Sequence, residues 1–329
     1  MGHGWVWTGL AVLVGLVVLC SVFGWLGRLW WPLELLSHFR VQYAAILGVG
    51  AIAAFLGKQA VLAGWTAVAA LLNLLCLLPA APARPPHRST GRRLRALVMN
   101  VYVRNDRYHR FLELLRNESP DVAVVVEVTP EWARALQSMR DDYPFTHVLP
   151  REDGFGIALL SRLPLEHLQV YRLDGIGIPS VLARVNLDGD SLTVIGTHPP
   201  GPMTRWRAWA RNHQLAALGA LAAQQDGGVM ILGDLNITPW SPFFRTFLKQ
   251  AGLRDSRIGH GLQPTWPTTI PWLRIPIDHC LVSEEVIVHT WRRGPHVGSD
   301  HFPVMVEVSI ASDRLGRKPR ATKGGTAHD

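Results

Sequence analysis

The chain has 329 residues, is 48% hydrophobic and only 18% charged, and carries a formal net charge of +8. About a quarter charged residues is usual for a soluble domain, so the composition is charge-poor, and three cysteines exclude a disulfide framework. The basic balance fits nucleic acid or an anionic membrane surface as partner, and it is spread along the chain rather than gathered in one run.

The apolar excess lies at the start. Trp5 to about Leu26 runs without a charge, long enough to cross a bilayer core, which takes about 20 residues. A signal peptide is disfavoured because no Lys or Arg precedes the run and no small-x-small cleavage site follows it. Two further runs, from about Val41 to Leu56 and from about Ala60 to Leu78, flank Lys58 and Gln59 and read as a tight helical hairpin. Residues 1–78 are therefore expected to hold three transmembrane helices, the second being the shortest. The loop from Arg28 to Arg40 mixes Trp30 and Trp31 with arginines, as at a bilayer interface where amphipathic rings settle. With three crossings, this loop and the rest of the chain share one side. Arg28, Arg40, Arg84, Arg88, Arg92, Arg93 and Arg95 lie there, against Lys58 on the other side. The positive-inside rule then places the C-terminal part in the cytoplasm, tethered to the cell membrane. Residues 79–93, with Pro79, Pro82, Pro85 and Pro86 among arginines, read as a linker.

Residues 94–310 alternate strands with helices. Strands are expected at Leu94 to Val101, Asp121 to Val128, Ile157–Leu160, Val181–Leu187, Leu192–Gly196, Val229–Leu232, Ile277–Val282, Val286–His289 and Val304–Val308. Helices are expected at Asp106 to Asn117, at Pro130 to Arg140 with Thr129 as N-cap, and at Met203 to Gln225. This pattern suggests two sheets with helices outside. Residues 311–329 are polar and basic and read as a disordered tail, and no internal repeat is visible.

Several of these strands end in polar residues that an apolar strand does not need: Asn100, Glu127, His198, Asp234 with Asn236, Asp278 with His279, and Asp300 with His301. Each alone has an ordinary reading as a strand-end cap or a solvated turn. Together they converge, because strand ends on one edge of a sheet meet in space and ligands of α/β folds bind there. The central stretch is Gly233-Asp234-Leu235-Asn236, between the apolar Val229–Leu232 and a loop broken by Pro239 and Pro242. Strand spacing puts Asp234 and Asn236 on one face, a carboxylate and a carboxamide suited to a phosphate ester. Glu127 and Asp300 are hard oxygen donors suited to Mg²⁺ or Mn²⁺, and the histidines and other carboxylates supply acid–base groups. No zinc-ligand spacing is present.

In this order the set resembles the endonuclease/exonuclease/phosphatase superfamily, which includes deoxyribonuclease I, exonuclease III, neutral sphingomyelinases and inositol-polyphosphate 5-phosphatases. The resemblance covers about Leu94 to Ile310 and rests chiefly on Gly233-Asp234-Leu235-Asn236 and Ser299-Asp300-His301. The helices ahead of it resemble the membrane-bound branch of that superfamily. The resemblance implies a four-layered α/β sandwich, two packed sheets with outer helices, with the site at one end. It also implies that Glu127 binds the divalent metal with Asn100 close by. Asp234 and Asn236 would position the water and the phosphate, and Asp278 would orient His301. Asp300 would complete the metal and base cluster, and His198 would hydrogen-bond the phosphate or protonate the leaving oxygen. Val126 is a departure, since many members carry Gln there. The expected function is a membrane-anchored, metal-dependent phosphoesterase whose partners are the lipid bilayer and a lipid-linked or small phosphoester. Nucleic acid is the competing substrate. A catalytically inactive binding module is the third reading, disfavoured because every acid–base and metal residue of the pattern is present.

Overall fold

The computed structural model describes residues 4–78, 91–173 and 177–311, so most of the expected linker and nearly all of the expected tail lie outside the described residues. Its strands are β1 (Leu94–Asn100), β2 (Val122–Val126), β3 (Phe145–Leu149), β4 (Ile157–Ser161), β5 (Leu165–Arg172), β6 (Pro179–Leu187), β7 (Asp190–Thr197), β8 (Gly228–Asp234), β9 (Leu253–Asp255), β10 (Asp278–Ser283), β11 (Val286–Arg293) and β12 (Val304–Ile310). They pair into two sheets of six, ordered β11-β12-β1-β2-β4-β3 and β5-β6-β7-β8-β10-β9. Each sheet has the same series of pairings: two antiparallel, one parallel, two antiparallel. The parallel pairs are β1–β2 and β7–β8, which require crossovers. Helix α5 (Tyr108–Glu118) makes the first and α7 (Arg205–Ala223) the second.

The inner faces are almost purely aliphatic. Val98, Val124 and Leu159 of one sheet share a core with Val181, Val194 and Leu232 of the other. Phe111 and Leu115 of α5 and Trp132 of α6 (Pro130–Leu136) cover the outer face of the first sheet. Leu215 and Leu218 of α7, with Phe244 and Phe247 of α8 (Pro242–Ala251), cover the second. The result is the expected order of helix, sheet, sheet, helix. Thr129 caps α6 through Trp132 N, with Pro130 at the first position. Three strands and one helix were not expected. β3, β5 and β9 are edge strands with mixed or short sequences, and the prolines around α8 obscured a helix that Ser241 caps at Phe243 N.

Ahead of this domain lie α1 (Gly4–Phe23), α2 (Trp31–Leu36), α3 (Arg40–Leu56) and α4 (Ala60–Leu77). Three helical segments, Gly4–Leu26, Trp31–Leu56 and Ala60–Leu77, are long and apolar enough to cross a membrane. Their outward side chains, such as Leu16, Ile52 and Trp65, are exposed, as lipid-facing groups are. Polar groups turn inward: Ser21 donates to Asn73 Oδ1 at 2.9 Å, and Arg40 donates to the Ser21 carbonyl at 2.8 Å. The stretch from Arg28 to Arg40 differs from the interfacial loop expected of it. Residues 31–39 are helical, Glu34, Ser37 and His38 are buried, and Glu34 and His38 bond to Ser241 and Thr238 of the two-sheet domain. Trp30 remains 60% exposed, whereas Trp31 is half-buried at the start of α2.

Candidate active site

β8 reaches the site beside β7, and the approach is so close that a Cβ on Gly233 would lie 2.0 Å from the Thr197 carbonyl oxygen. Glycine is therefore the residue that lets Asp234 stand at the end of a strand paired in parallel with the one leading to His198. The expected strand alternation does not bring Asp234 and Asn236 together, because β8 ends at Asp234 and Asn236 has a left-handed φ of +51°. A turn does it instead: the Asn236 amide donates to Asp234 Oδ1 at 2.9 Å. The Asn236 carboxamide then donates to the Pro199 carbonyl at 3.0 Å and meets His198 Nε2 at 3.2 Å. His198 also lies 3.6 Å from Asp234 and packs edge-on against Phe155.

The first sheet supplies the opposite wall. Asn100, buried at the end of β1, donates to Glu127 Oε1 at 2.8 Å and to Asp234 Oδ2 at 3.0 Å, bridging the two sheets. The other Glu127 oxygen accepts from Val103 N at 2.9 Å. Glu127 has a φ of +62°, a region that costs a residue with a Cβ about 1–2 kcal/mol. Such an outlier, held by two donors, points to a functional position. Val126 is fully buried in the inter-sheet core, so the departure from Gln falls on a side chain packed inward.

Asp278, at the start of β10, is paired in register with Asp234. Its Oδ2 lies 2.8 Å from His301 Nδ1, and His301 Nε2 lies 3.6 Å from Asp234. His301 is fixed by its own amide, which donates to Ser299 Oγ at 3.0 Å, while Ser299 Oγ donates to the Asn100 carbonyl at 2.7 Å. Burial raises the Asp234 carboxyl to about 6, Asp278 adding to the rise while His301 and His198 oppose it. Burial alone would lower His301, but the carboxylates of Asp278 and Asp234 overcome it and hold the imidazolium up to about 10. His279 points away, to the Ile237 carbonyl at 2.8 Å, and stands apart from the cluster.

The structure thus joins Asn100, Glu127, His198, Asp234, Asn236, Asp278 and His301 in one network. Asp300 sits at its edge, with Oδ2 accepting from Trp266 Nε1 at 3.0 Å. Ligand atoms of Asp234, Asp278 and His301 lie within 4.8 Å of one another, a spacing that can hold a metal ion. Among the described residues, Glu127 and Asp300 are the partly open carboxylates of the group, while Asp278 Oδ1 and His198 Nδ1 are buried without partners. An oxygen-rich set of this kind fits a hard divalent cation, Mg²⁺ or Mn²⁺, and not a thiophilic one. Sequence reasoning missed Trp266, which nothing marks, and gave no role to Ser299, although it lies inside the Ser-Asp-His motif. It also missed Arg211, whose signal is a lone charge on the buried stripe Ala208, Arg211, Leu215, Leu218 and Ala222 of α7.

A two-sheet sandwich with carboxylates, carboxamides and histidines gathered at its strand ends defines a phosphoesterase or nuclease scaffold. The chain belongs to the endonuclease/exonuclease/phosphatase family, whose model matches residues 97–301. Members of that family are hydrolases acting on phosphodiester bonds. A search of curated proteins returns no match. Among solved structures, a family protein from Beutenbergia cavernae is similar with a TM-score of 0.57 and 20% identity, covering 68% of this chain and 73% of that one. TDP2 of D. rerio, crystallised with a single-strand DNA product, gives a TM-score of 0.55 and 17% identity over 66% of this chain and 99% of that one. The beta toxin of Staphylococcus aureus gives 0.50 and 19% over 65% and 99%. At these identities the likeness concerns the fold.

Proposed function

We propose that the protein is a membrane-anchored, divalent-metal-dependent hydrolase of a lipid-linked phosphoester, with residues 1–78 as anchor, 79–93 as linker and 94–310 as catalytic domain. Asn100, Glu127 and Asp300 hold the cation, which when bound neutralises charge on the phosphoryl oxygens and on the leaving group. Asp234, raised toward neutrality, takes the proton of the attacking water. Asn236 and His198 hold a phosphoryl oxygen from the side of the second sheet. His301, kept cationic by Asp278 and Asp234, donates to another.

One observation carries the lipid reading. The segment from Trp266 to Ile275 closes on itself through a bridge between those two residues and touches both the site and the membrane helices. Trp266 donates to Asp300, and Gln42, in the first turn of α3, donates to the Arg274 carbonyl at 3.0 Å. Between them Trp272 is 74% exposed, next to Leu273. An apolar tip tied to a helix long enough to span suits the depth where tryptophan settles in a bilayer, which would turn the neighbouring carboxylates toward head groups. The net charge of +8 and the DNA-bound neighbour favour a tethered nuclease as the second reading.

The deciding experiment compares hydrolysis of a phosphodiester lipid in vesicles, single-stranded DNA and bis(p-nitrophenyl) phosphate, each with Mn²⁺. Replacing Trp272 and Leu273 with alanine is expected to slow the vesicle reaction by about tenfold, the scale of one lost apolar contact, and to spare the soluble diester. Faster turnover of DNA than of any lipid would reverse the choice of substrate. The membrane side is tested separately: a reporter fused after Asp329 is expected to be active only in the cytoplasm, following the arginine asymmetry.

A further inference from the structure

Residues of the membrane region enter the catalytic domain beside the site. Arg211 is fully buried on the inward stripe of α7. Its Nη1 donates to the Asn236 carbonyl at 3.1 Å, and its Nη2 donates to Glu34 Oε2 on α2. Both side chains are at most 1% exposed. The other Glu34 oxygen accepts from Ser241 Oγ at 2.7 Å, the same hydroxyl that caps α8. His38 meets Thr238 Oγ1 at 2.9 Å. The segment after Asp234 is therefore gripped at Asn236, Thr238 and Ser241, twice by groups of the membrane region directly and once through Arg211.

We propose that Glu34 is a positioning residue of the active site, acting through Arg211 on the Asn236 carbonyl, so that the membrane region completes the site as well as anchoring it. The proposal rests on the phosphoesterase reading for its effect on turnover, but not for the clamp itself. Docking alone does not call for this ion pair. Arg28 already donates to Pro242 and Thr246 of α8, and Gln42 to Arg274. A buried ion pair is commonly no more stabilising than a well-packed apolar pair of the same volume. What an apolar pair cannot supply is the N–H that holds the Asn236 carbonyl. Asn236 has a left-handed backbone and a carboxamide aimed at His198, so its position depends on both ends of that turn.

The test uses the full chain in lipid nanodiscs. Glu34→Leu combined with Arg211→Met removes the charges and keeps the volume, and Glu34→Gln keeps one acceptor for Arg211 Nη2 while turning an N–H toward Ser241 Oγ, which can accept it. Hydrogen exchange of residues 233–241 and the kinetics of bis(p-nitrophenyl) phosphate with Mn²⁺ are both read. In the double variant, exchange is expected to accelerate in that segment and not in β1 or β12. Its kcat is expected to fall roughly 10–100-fold with KM held within about twofold, and Glu34→Gln to recover most of the loss. If the double variant does not fold, Arg211→Lys decides, because one ammonium cannot serve both Glu34 and the Asn236 carbonyl in the guanidinium's geometry. Unchanged exchange at 233–241 overturns the clamp. Wild-type kcat in a loosened variant, or equal loosening throughout the domain, overturns the positioning role. A wild-type chain that turns over no phosphoester sinks the phosphoesterase reading instead, and the exchange data then judge the clamp alone.

Discussion

Glu127→Gln is expected to lower turnover by about 10³-fold, since a divalent cation supplies several kcal/mol of charge stabilisation and each 1.36 kcal/mol is tenfold in rate. The substitution keeps the shape. The glutamine oxygen can still accept from Val103 N, and the strained backbone at φ +62° is unaltered. What is lost is a negative charge facing the pocket, one of two partly open carboxylates in the cluster, together with the oxygen that accepts from Asn100 Nδ2. Circular dichroism should match that of the wild type. The rate measured across a Mn²⁺ titration should stay low at every concentration. Near-normal activity at saturating metal would remove Glu127 from the ligand set and shift attention to the tighter group of Asp234, Asp278 and His301.

His301→Ala is expected to cost roughly 10²–10³-fold, the worth of one preorganised donor to a developing oxyanion, with much less effect on Mn²⁺ affinity. The ring is held on three sides. Asp278 takes Nδ1, Asp234 faces Nε2, and Ser299 fixes the backbone. Removing it leaves two buried carboxylates in register across β8 and β10 with one fewer cation between them. Some stability should be lost as well, so thermal unfolding belongs beside the kinetics. A rate close to wild type, in a variant whose metal affinity is intact, would exclude His301 from the reaction.

Much of the site was legible because its residues interrupt aliphatic runs. Val122–Val126 and Val229–Leu232 have no use for the Glu and Asp that follow them, and a charge at the end of a buried strand is informative. The spatial relations were less legible. Asp234 and Asn236 meet through a left-handed residue and a backbone-to-carboxylate bond, which strand periodicity cannot encode. Trp266 approaches Asp300 from a segment without regular pairing beyond a single bridge, so no periodic pattern led to it. The three long apolar helices were visible from length and apolarity. The meeting of Glu34 with Arg211 was not, since a contact between residues 177 positions apart leaves no trace in local composition.

The repeated series of strand pairings has its own consequence. In pairing order, β1 corresponds to β7, β2 to β8, β4 to β10 and β12 to β6, and each half contains a crossover helix between its parallel strands. The chain is thus a pair of twins in topology, although no sequence repeat remains to announce it. The twins have divided their labour. Asn100 and Glu127 end the parallel strands of one and make up the proposed cation side. His198 and Asp234 end those of the other and make up the proposed proton-transfer side. Neither twin presents the whole cluster alone, because the bond from Asn100 to Asp234 crosses the seam between them. Gly196 sits at that seam, where a Cβ would meet Val124 at 3.0 Å. The spacing of the two sheets at this point sets the span between the two sides of the centre.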